Sequence, residues 1–391
     1  MKYDFDKIND RRDTNSNKWN VEENELPMWV ADMDIQTVPE VIEAMHKDVE
    51  RGIFGYQYVP DEYYRAVANW YRTEHDFSPK LEWLVFSTGV MPSIGAILRH
   101  MTDVGDNVLL QEPNYNSFYK TITNNGRHIL NSELTYKNGT YEIDWDDLES
   151  KLADPQTTVM IICNPHNPTG HIWDSDVLTR IGRLAWRYNV MIISDEIHGD
   201  LTMPGYNYTP FASLDSEITN NSISLVSPSK TFNLAVLHAS TMIIPNKDVR
   251  EKAARAVAID GSNEPGVLAI DASIAAYTKG SEWLHELRKY IQGNREYLEK
   301  FAKENIPEIK VLPAQATYLA WIDCSKLTNE SDKFNQFLRD ETGLYLAEGT
   351  KYKGNGNQFL RINLSTPRSN VEDGVQRLKE GIEKFIQKDS E

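Results

Sequence analysis

The sequence predicts an α/β fold: a large domain with a mainly parallel, mixed sheet covered by helices, and a smaller α+β domain formed from the N- and C-terminal segments. Three observations point there. Short apolar runs recur without polar alternation, as in strands covered on both faces. Helical patterns lie between those runs. Beyond residue 285 the pattern changes to longer helical segments. The expected large domain is therefore 48–285, and the small one combines 1–47 with 286–391.

In chain order the strand candidates are 83–86, 108–110, 159–163, 190–194, 223–226 and 241–244. A helix from about Pro92 follows the first. Val177, Ile181, Leu184 and Tyr188 recur at steps of four, three and four, one face of a helix between the third and fourth. Helical segments around 283–297 and 333–341 lead to a final helix. Ser369 and Glu372 have capping-box spacing at its start, and Val371, Val375, Leu378, Ile382 and Phe385 share one face.

Of the 391 residues, 40% are hydrophobic and 25% charged, ordinary for a soluble globular chain with room for two domains. The 58 Asp and Glu outnumber 41 Lys and Arg, for a formal charge of -17. Nucleic acid and anionic membranes reward clustered positive charge, so neither is expected as a partner. Cys163 and Cys324 are the only cysteines, which leaves no disulfide framework and no metal-type spacing. The first residues lack the apolar core of a signal peptide, and no apolar run reaches the length of a membrane span. A cytoplasmic protein is expected.

Ligand loops collect at the carboxyl ends of parallel strands. Four runs lead directly into unusual segments: Ser87-Thr88-Gly89-Val90, Asn164-Pro165-His166-Asn167-Pro168-Thr169-Gly170, Asp195-Glu196-Ile197-His198 and Ser227-Pro228-Ser229-Lys230. Lys230 is the centre of this set. An amine shielded from water has a lowered pKa, is neutral more of the time and can attack a carbonyl. A solvated loop lysine is the plain alternative.

A lysine that holds pyridoxal phosphate needs an anion site, an acid at the ring nitrogen, a stacking partner and a donor to the ring oxygen. Each has a candidate. Gly89 and Val90 would aim backbone N–H groups at a phosphate from the start of a helix, or simply form a strand-to-helix turn. Ser227 and His238 would add donors, or serve capping and surface roles. Asp195 ends an apolar run where an unpaired carboxylate is costly, so it suits a pyridinium or a structural salt bridge. His198 would reach the ring oxygen or be a core histidine. Tyr115 would stack on the ring or pack among apolar neighbours. Asn167 sits in a loop that two prolines hold out of helix. Arg361, inside the apolar run 359–363, offers a two-pronged cation to a carboxylate, unless its head merely reaches solvent.

In this order and spacing, the Asn164–Gly170 segment, Asp195 with His198, Ser227 to Lys230, and Arg361 resemble the signature of fold-type I pyridoxal-phosphate enzymes, the aspartate aminotransferase superfamily. Leu26-Pro27-Met28-Trp29-Val30-Ala31-Asp32-Met33-Asp34, Gly55-Tyr56, Ser229-Lys230-Thr231-Phe232-Asn233-Leu234, Thr317-Tyr318-Leu319-Ala320-Trp321 and Phe359-Leu360-Arg361-Ile362-Asn363 are similar to the cystathionine β-lyase-like carbon–sulfur lyases of the MalY/PatB branch. The similarity runs over essentially the whole chain.

The resemblance implies that Lys230 bonds to the cofactor, Asp195 pairs with the pyridine nitrogen, Asn167 and His198 lie near the ring oxygen, and Tyr115 stacks on the ring. It implies phosphate contacts from Gly89, Val90, Ser227 and Ser229, joined by Tyr56 of a partner subunit, so that the functional unit is a homodimer. Lys230, Asp195 and Tyr56 would be catalytic, while Arg361, Tyr56 and Asn167 would hold the substrate. Two departures stand out: Ala235-Val236-Leu237 replaces the family's frequent Ala-Gly-Leu, and His238 stands where aminotransferases commonly place a phosphate-binding arginine.

The implied reaction is α,β-elimination of cystathionine or a related L-cysteine S-conjugate to a thiol such as homocysteine, pyruvate and ammonia. The alternative is an aminotransferase acting on an L-amino acid and a keto acid. Two other readings lack a partner motif. Ser227 and Lys230 match the Ser-x-x-Lys of penicillin-binding enzymes, but neither Ser-Asp-Asn nor Lys-Thr-Gly occurs. Asp195 to His198 match a helicase-type acidic box, but no phosphate-binding Gly-Lys loop accompanies it.

Overall fold

The computed structural model describes residues 2–390. A seven-stranded sheet runs, in spatial order, through Leu84–Ser87, Ser240–Ile243, Ser222–Val226, Met191–Asp195, Thr157–Cys163, Asn107–Leu110 and His128–Asn131. The Ser240–Ile243 strand is antiparallel to both neighbours, and the remaining pairs are parallel. Met191–Asp195 and Ser222–Val226 are buried at every position, which is why these strands carry no alternation. The six expected strands are all present, with ends displaced by one or two residues. His128–Asn131 is an addition: its side chains are exposed or half-buried, so no apolar run signals it.

Register brings the functional segments to one rim. Cys163 pairs with Asp195, and Asp195 with Leu225, so these strands end nearly level. The helix after the first strand begins at Val90, earlier than the expected Pro92.

A second sheet of Lys310–Val311, Leu319–Asp323, Phe359–Asn363 and Ala347–Glu348 is antiparallel throughout. Within it Arg361 lies opposite Trp321 on one side and Ala347 on the other. The N-terminal segment joins this region, because Leu26–Pro27 pairs with Leu344–Tyr345, and Leu26 and Met28 share a buried cluster with Phe334, Leu338 and Val375. Helix Ser281–Asn305 runs unbroken through residue 285.

The last helix, Arg368–Ser390, buries Val371, Val375, Leu378 and Ile382, with Phe385 partly buried against the same cluster. Burial of each such side chain is worth roughly 1.5–3 kcal/mol. Ser369 does not cap this helix, contrary to the capping-box expectation. The helix starts one residue earlier, and the Pro367 carbonyl accepts from Asn370 and Val371 N–H, so Ser369 already lies inside the first turn. Among the described residues no helix is long and apolar enough to cross a membrane.

Candidate active site

The level strand ends of the large sheet and the Arg361 strand of the small one face a cavity of about 580 Å³, a size suited to a small-molecule site. Lys230 enters it on the short turn Pro228–Thr231. Ser227 starts that turn by accepting the Ser229 N–H at 3.1 Å. The Lys230 Nζ donates to the Ala31 carbonyl at 2.6 Å. Burial pulls its pKa down to about 8; the charges of Asp32 and Asp195 oppose that shift, and Arg361 adds to it.

Asp195, the last residue of its strand, is buried, and its Oδ1 accepts the Ile197 N–H at 3.1 Å. Burial pushes its pKa up to about 7, against the Ile197 bond and the Lys230 charge. Such a carboxylate gains from any cation brought against it. His198 is pushed down to about 3, first by burial and then by the charges of Lys230 and Arg361. It is therefore neutral, and its buried Nδ1 has no hydrogen-bond partner among the described residues.

Arg361 is buried with its fork fixed at two points: Nη1 donates to Asn167 Oδ1 at 3.1 Å and Nη2 to the Trp29 carbonyl at 2.8 Å. Its Cζ lies 5.1 Å from the centre of the Tyr352 ring, and its buried Nε is unpaired among the described residues. Tyr115 lines the cavity with its ring edge-on to Phe118, 5.5 Å away. Gly89 and Val90 line it at the start of helix Val90–Met101, where no side chain caps the first N–H groups. Ser229 and the exposed His238 complete the expected set.

Ser227 also lines the cavity; its hydroxyl donates to the Ala239 carbonyl at 2.7 Å and accepts the Ser229 N–H. Tyr56 is outside the cavity of its own chain, with a side chain 103% exposed. The remaining groups fit pyridoxal phosphate. An amine of lowered pKa, a buried carboxylate short of a cation, an unpaired imidazole nitrogen and an uncapped helix start all face one cavity.

The sequence marks Leu26 to Asp34 only by its family resemblance and gives no role to its residues, which form the wall opposite the large sheet. The carbonyls of Trp29, Val30, Ala31 and Asp32 accept, in turn, from Arg361, Asn363, Lys230 with Tyr318, and Asn363 with Ser365. Behind this segment the buried Lys18 Nζ lies 2.7 Å from Asp34 and 3.7 Å from Asp32, and Arg11 bonds the same two carboxylates. Burial alone would raise the pKa of Asp34, but Lys18 leads the groups that hold it below the usual carboxylate range. The available signal was two aspartates, Asp32 and Asp34, in an otherwise apolar stretch.

Asp200 was also missed. It is buried beneath the lysine turn and accepts from Trp70, Thr231 and His75 at 2.8, 2.7 and 2.6 Å. Burial opposes its ionisation, yet these donors, His75 foremost, keep its pKa below the usual range.

The chain belongs to the aminotransferase class I and II family, whose model matches residues 18–378. More particularly, it is 38% identical over 385 residues to cystathionine beta-lyase PatB of Bacillus subtilis, covering 97% of this chain and 99% of that one. It is 32% identical to protein MalY of Escherichia coli, with 97% and 99% covered. Among solved structures it is similar to cystalysin from Treponema denticola, which contains a pyridoxal 5'-phosphate cofactor, at a TM-score of 0.94 and 33% identity, covering 98% of this chain and 100% of that one. The pyridoxal-phosphate-bound C-S lyase from Staphylococcus hominis superposes with a TM-score of 0.91 at 32% identity, with 97% and 98% covered.

Proposed function

We propose that the protein is a pyridoxal-phosphate-dependent carbon–sulfur β-lyase. It eliminates the thiol from cystathionine or a related L-cysteine S-conjugate and yields pyruvate and ammonia. The observation that carries this reading is the meeting of Lys230, Asp195 and Arg361 in one cavity, in a chain similar throughout to named cystathionine β-lyases.

When bound, pyridoxal phosphate supplies the electron sink that makes the substrate α-proton removable. Lys230 Nζ would hold the cofactor, and as a free amine it would take the substrate α-proton. Its lowered pKa lets it act as a base near neutral pH. Asp195 would keep a proton at the pyridine nitrogen. Arg361, with Asn167 fixing one prong, binds the α-carboxylate. Tyr115 would stack on the ring, His198 would donate to the ring oxygen, and Gly89, Val90, Ser227, Ser229 and His238 would surround the phosphate.

The working unit in this reading is a cytoplasmic homodimer with residues 48–285 as its large domain, and Tyr56 acts in the partner's site. Support comes from the exposed run of Ile53, Phe54, Tyr56 and Tyr58, an apolar surface of the kind that subunit contacts cover. Two free buried thiols and no disulfide suit a reducing compartment.

The test is product analysis with cystathionine and no added keto acid. Thiol and pyruvate should appear in equal amounts, and Lys230→Ala should lower the rate by about a thousandfold or more. Strict dependence on a keto acid would make the protein an aminotransferase instead.

A further inference from the structure

The cavity has a second cationic feature near its Arg361 end, and neither the cofactor contacts nor the α-carboxylate site uses it. Lys351 lines the cavity on the turn that follows strand Ala347–Glu348. That strand pairs with the arginine strand, with Ala347 opposite Arg361. The Lys351 ammonium lies 2.7 Å from Glu348 Oε1 and 5.8 Å from the centre of the Trp29 ring. Trp29 is the residue whose carbonyl holds Arg361, and its ring stacks on Tyr345 at 4.9 Å. The Asn335 amide reaches the other Glu348 oxygen at 3.4 Å. The lysine side chain is 37% exposed and lines the cavity, whereas the glutamate is 18% exposed, is not among the lining residues and serves to hold the lysine.

We propose that Lys351 recognises the distal carboxylate of a substrate whose sulfur substituent carries one, as that of an amino acid does. Glu348, paired with the ammonium, is the positioning residue. This deepens the lyase reading and rests on it. A fixed cation on the cavity wall matches a carboxylate, whereas an uncharged alkyl substituent has nothing to offer it. In a chain of net charge -17, a cavity-lining lysine also favours an incoming carboxylate locally. Trp29 couples the two ends, because its ring faces the lysine while its carbonyl holds the arginine that takes the near carboxylate.

Three thioethers separate the contributions: L-cystathionine, S-carboxypropyl-L-cysteine, which keeps the distal carboxylate without the ammonium, and S-butyl-L-cysteine, which has neither. Lys351→Met should lower the kcat/KM ratio of cystathionine to S-butyl-L-cysteine about tenfold, chiefly through KM, as for loss of one charge-assisted hydrogen bond. Lys351→Arg should restore most of the ratio. S-carboxypropyl-L-cysteine should lose as much as cystathionine in Lys351→Met, because both carry the distal carboxylate. Calorimetric titration of cystathionine into Lys230→Ala, with and without Lys351→Met, should read the same loss as an increase in Kd of about tenfold. An unchanged ratio in Lys351→Met overturns the proposal. Failure of the wild-type protein to release pyruvate from any of the three overturns the lyase reading instead.

Discussion

The two walls of the cavity are held by different means. On the large-sheet side, Asp195, Asn167 and Lys230 stand at the ends of buried strands or on the tight segments just after them. On the other side, a stretch with little regular structure, Trp29 to Asp34, is tied by its own carbonyls to Arg361, Asn363, Lys230 and Tyr318. It is pinned from behind by Lys18 and Arg11. A sheet rim positions chemistry through register, which many neighbouring hydrogen bonds enforce. The strap depends on a few charged and polar contacts, so single substitutions should disturb it more.

The largest effect expected of that difference lies behind the strap. Lys18→Met removes the buried cation of Asp34 and should destabilise the protein by about 3–5 kcal/mol in denaturant titration. A loss under about 1 kcal/mol would mean that the strap is held as firmly as the rim. Next is the prong between the walls. Arg361→Lys keeps the charge and loses the fork shared by Asn167 and Trp29, so kcat/KM should fall roughly 10- to 100-fold.

A third measurement concerns the lysine that touches both walls. Its pKa is lowered to about 8, so the amine is protonated below that pH and neutral above it. In cofactor-free protein, the rate of taking up added pyridoxal phosphate should rise about tenfold per pH unit below about 8 and level off above it. Stopped-flow absorbance reads this directly, and a profile rising to near pH 10 would show a solvated amine. The smallest effect is expected from Tyr318→Phe, which removes one of two donors on the Ala31 carbonyl. It should cost about 1 kcal/mol of stability, read as a lowered Tm.

The same contrast explains what the sequence disclosed. Strand ends followed at once by polar or Gly/Pro-rich segments made Lys230, Asp195, Asn167 and Gly89 readable, since their placement follows from local pattern. Arg361 was readable as a cation inside an apolar run. The strap was not, because Trp29 and Ala31 act through main-chain oxygens, which every residue type carries. Nothing local tells which donor a given carbonyl will meet. Ser227 shows the limit of local pattern: a hydroxyl after a strand suits a phosphate and a cap alike, and here it caps the lysine turn while lining the cavity. Asp200 lay hidden because its donors come from two distant parts of the chain, Trp70 and His75 from one helix and its C-cap and Thr231 from the lysine turn.

The bond from Lys230 to Ala31 closes a span of 199 residues, and the one from Arg361 to Trp29 a span of 332. Contacts that distant in sequence form late, after the intervening loops have closed. During synthesis, a chain that has already emerged past Lys230 still lacks the arginine that answers Trp29, so its amine waits beside a half-built wall. Competence should therefore arrive only once strand Phe359–Asn363 docks in the small sheet.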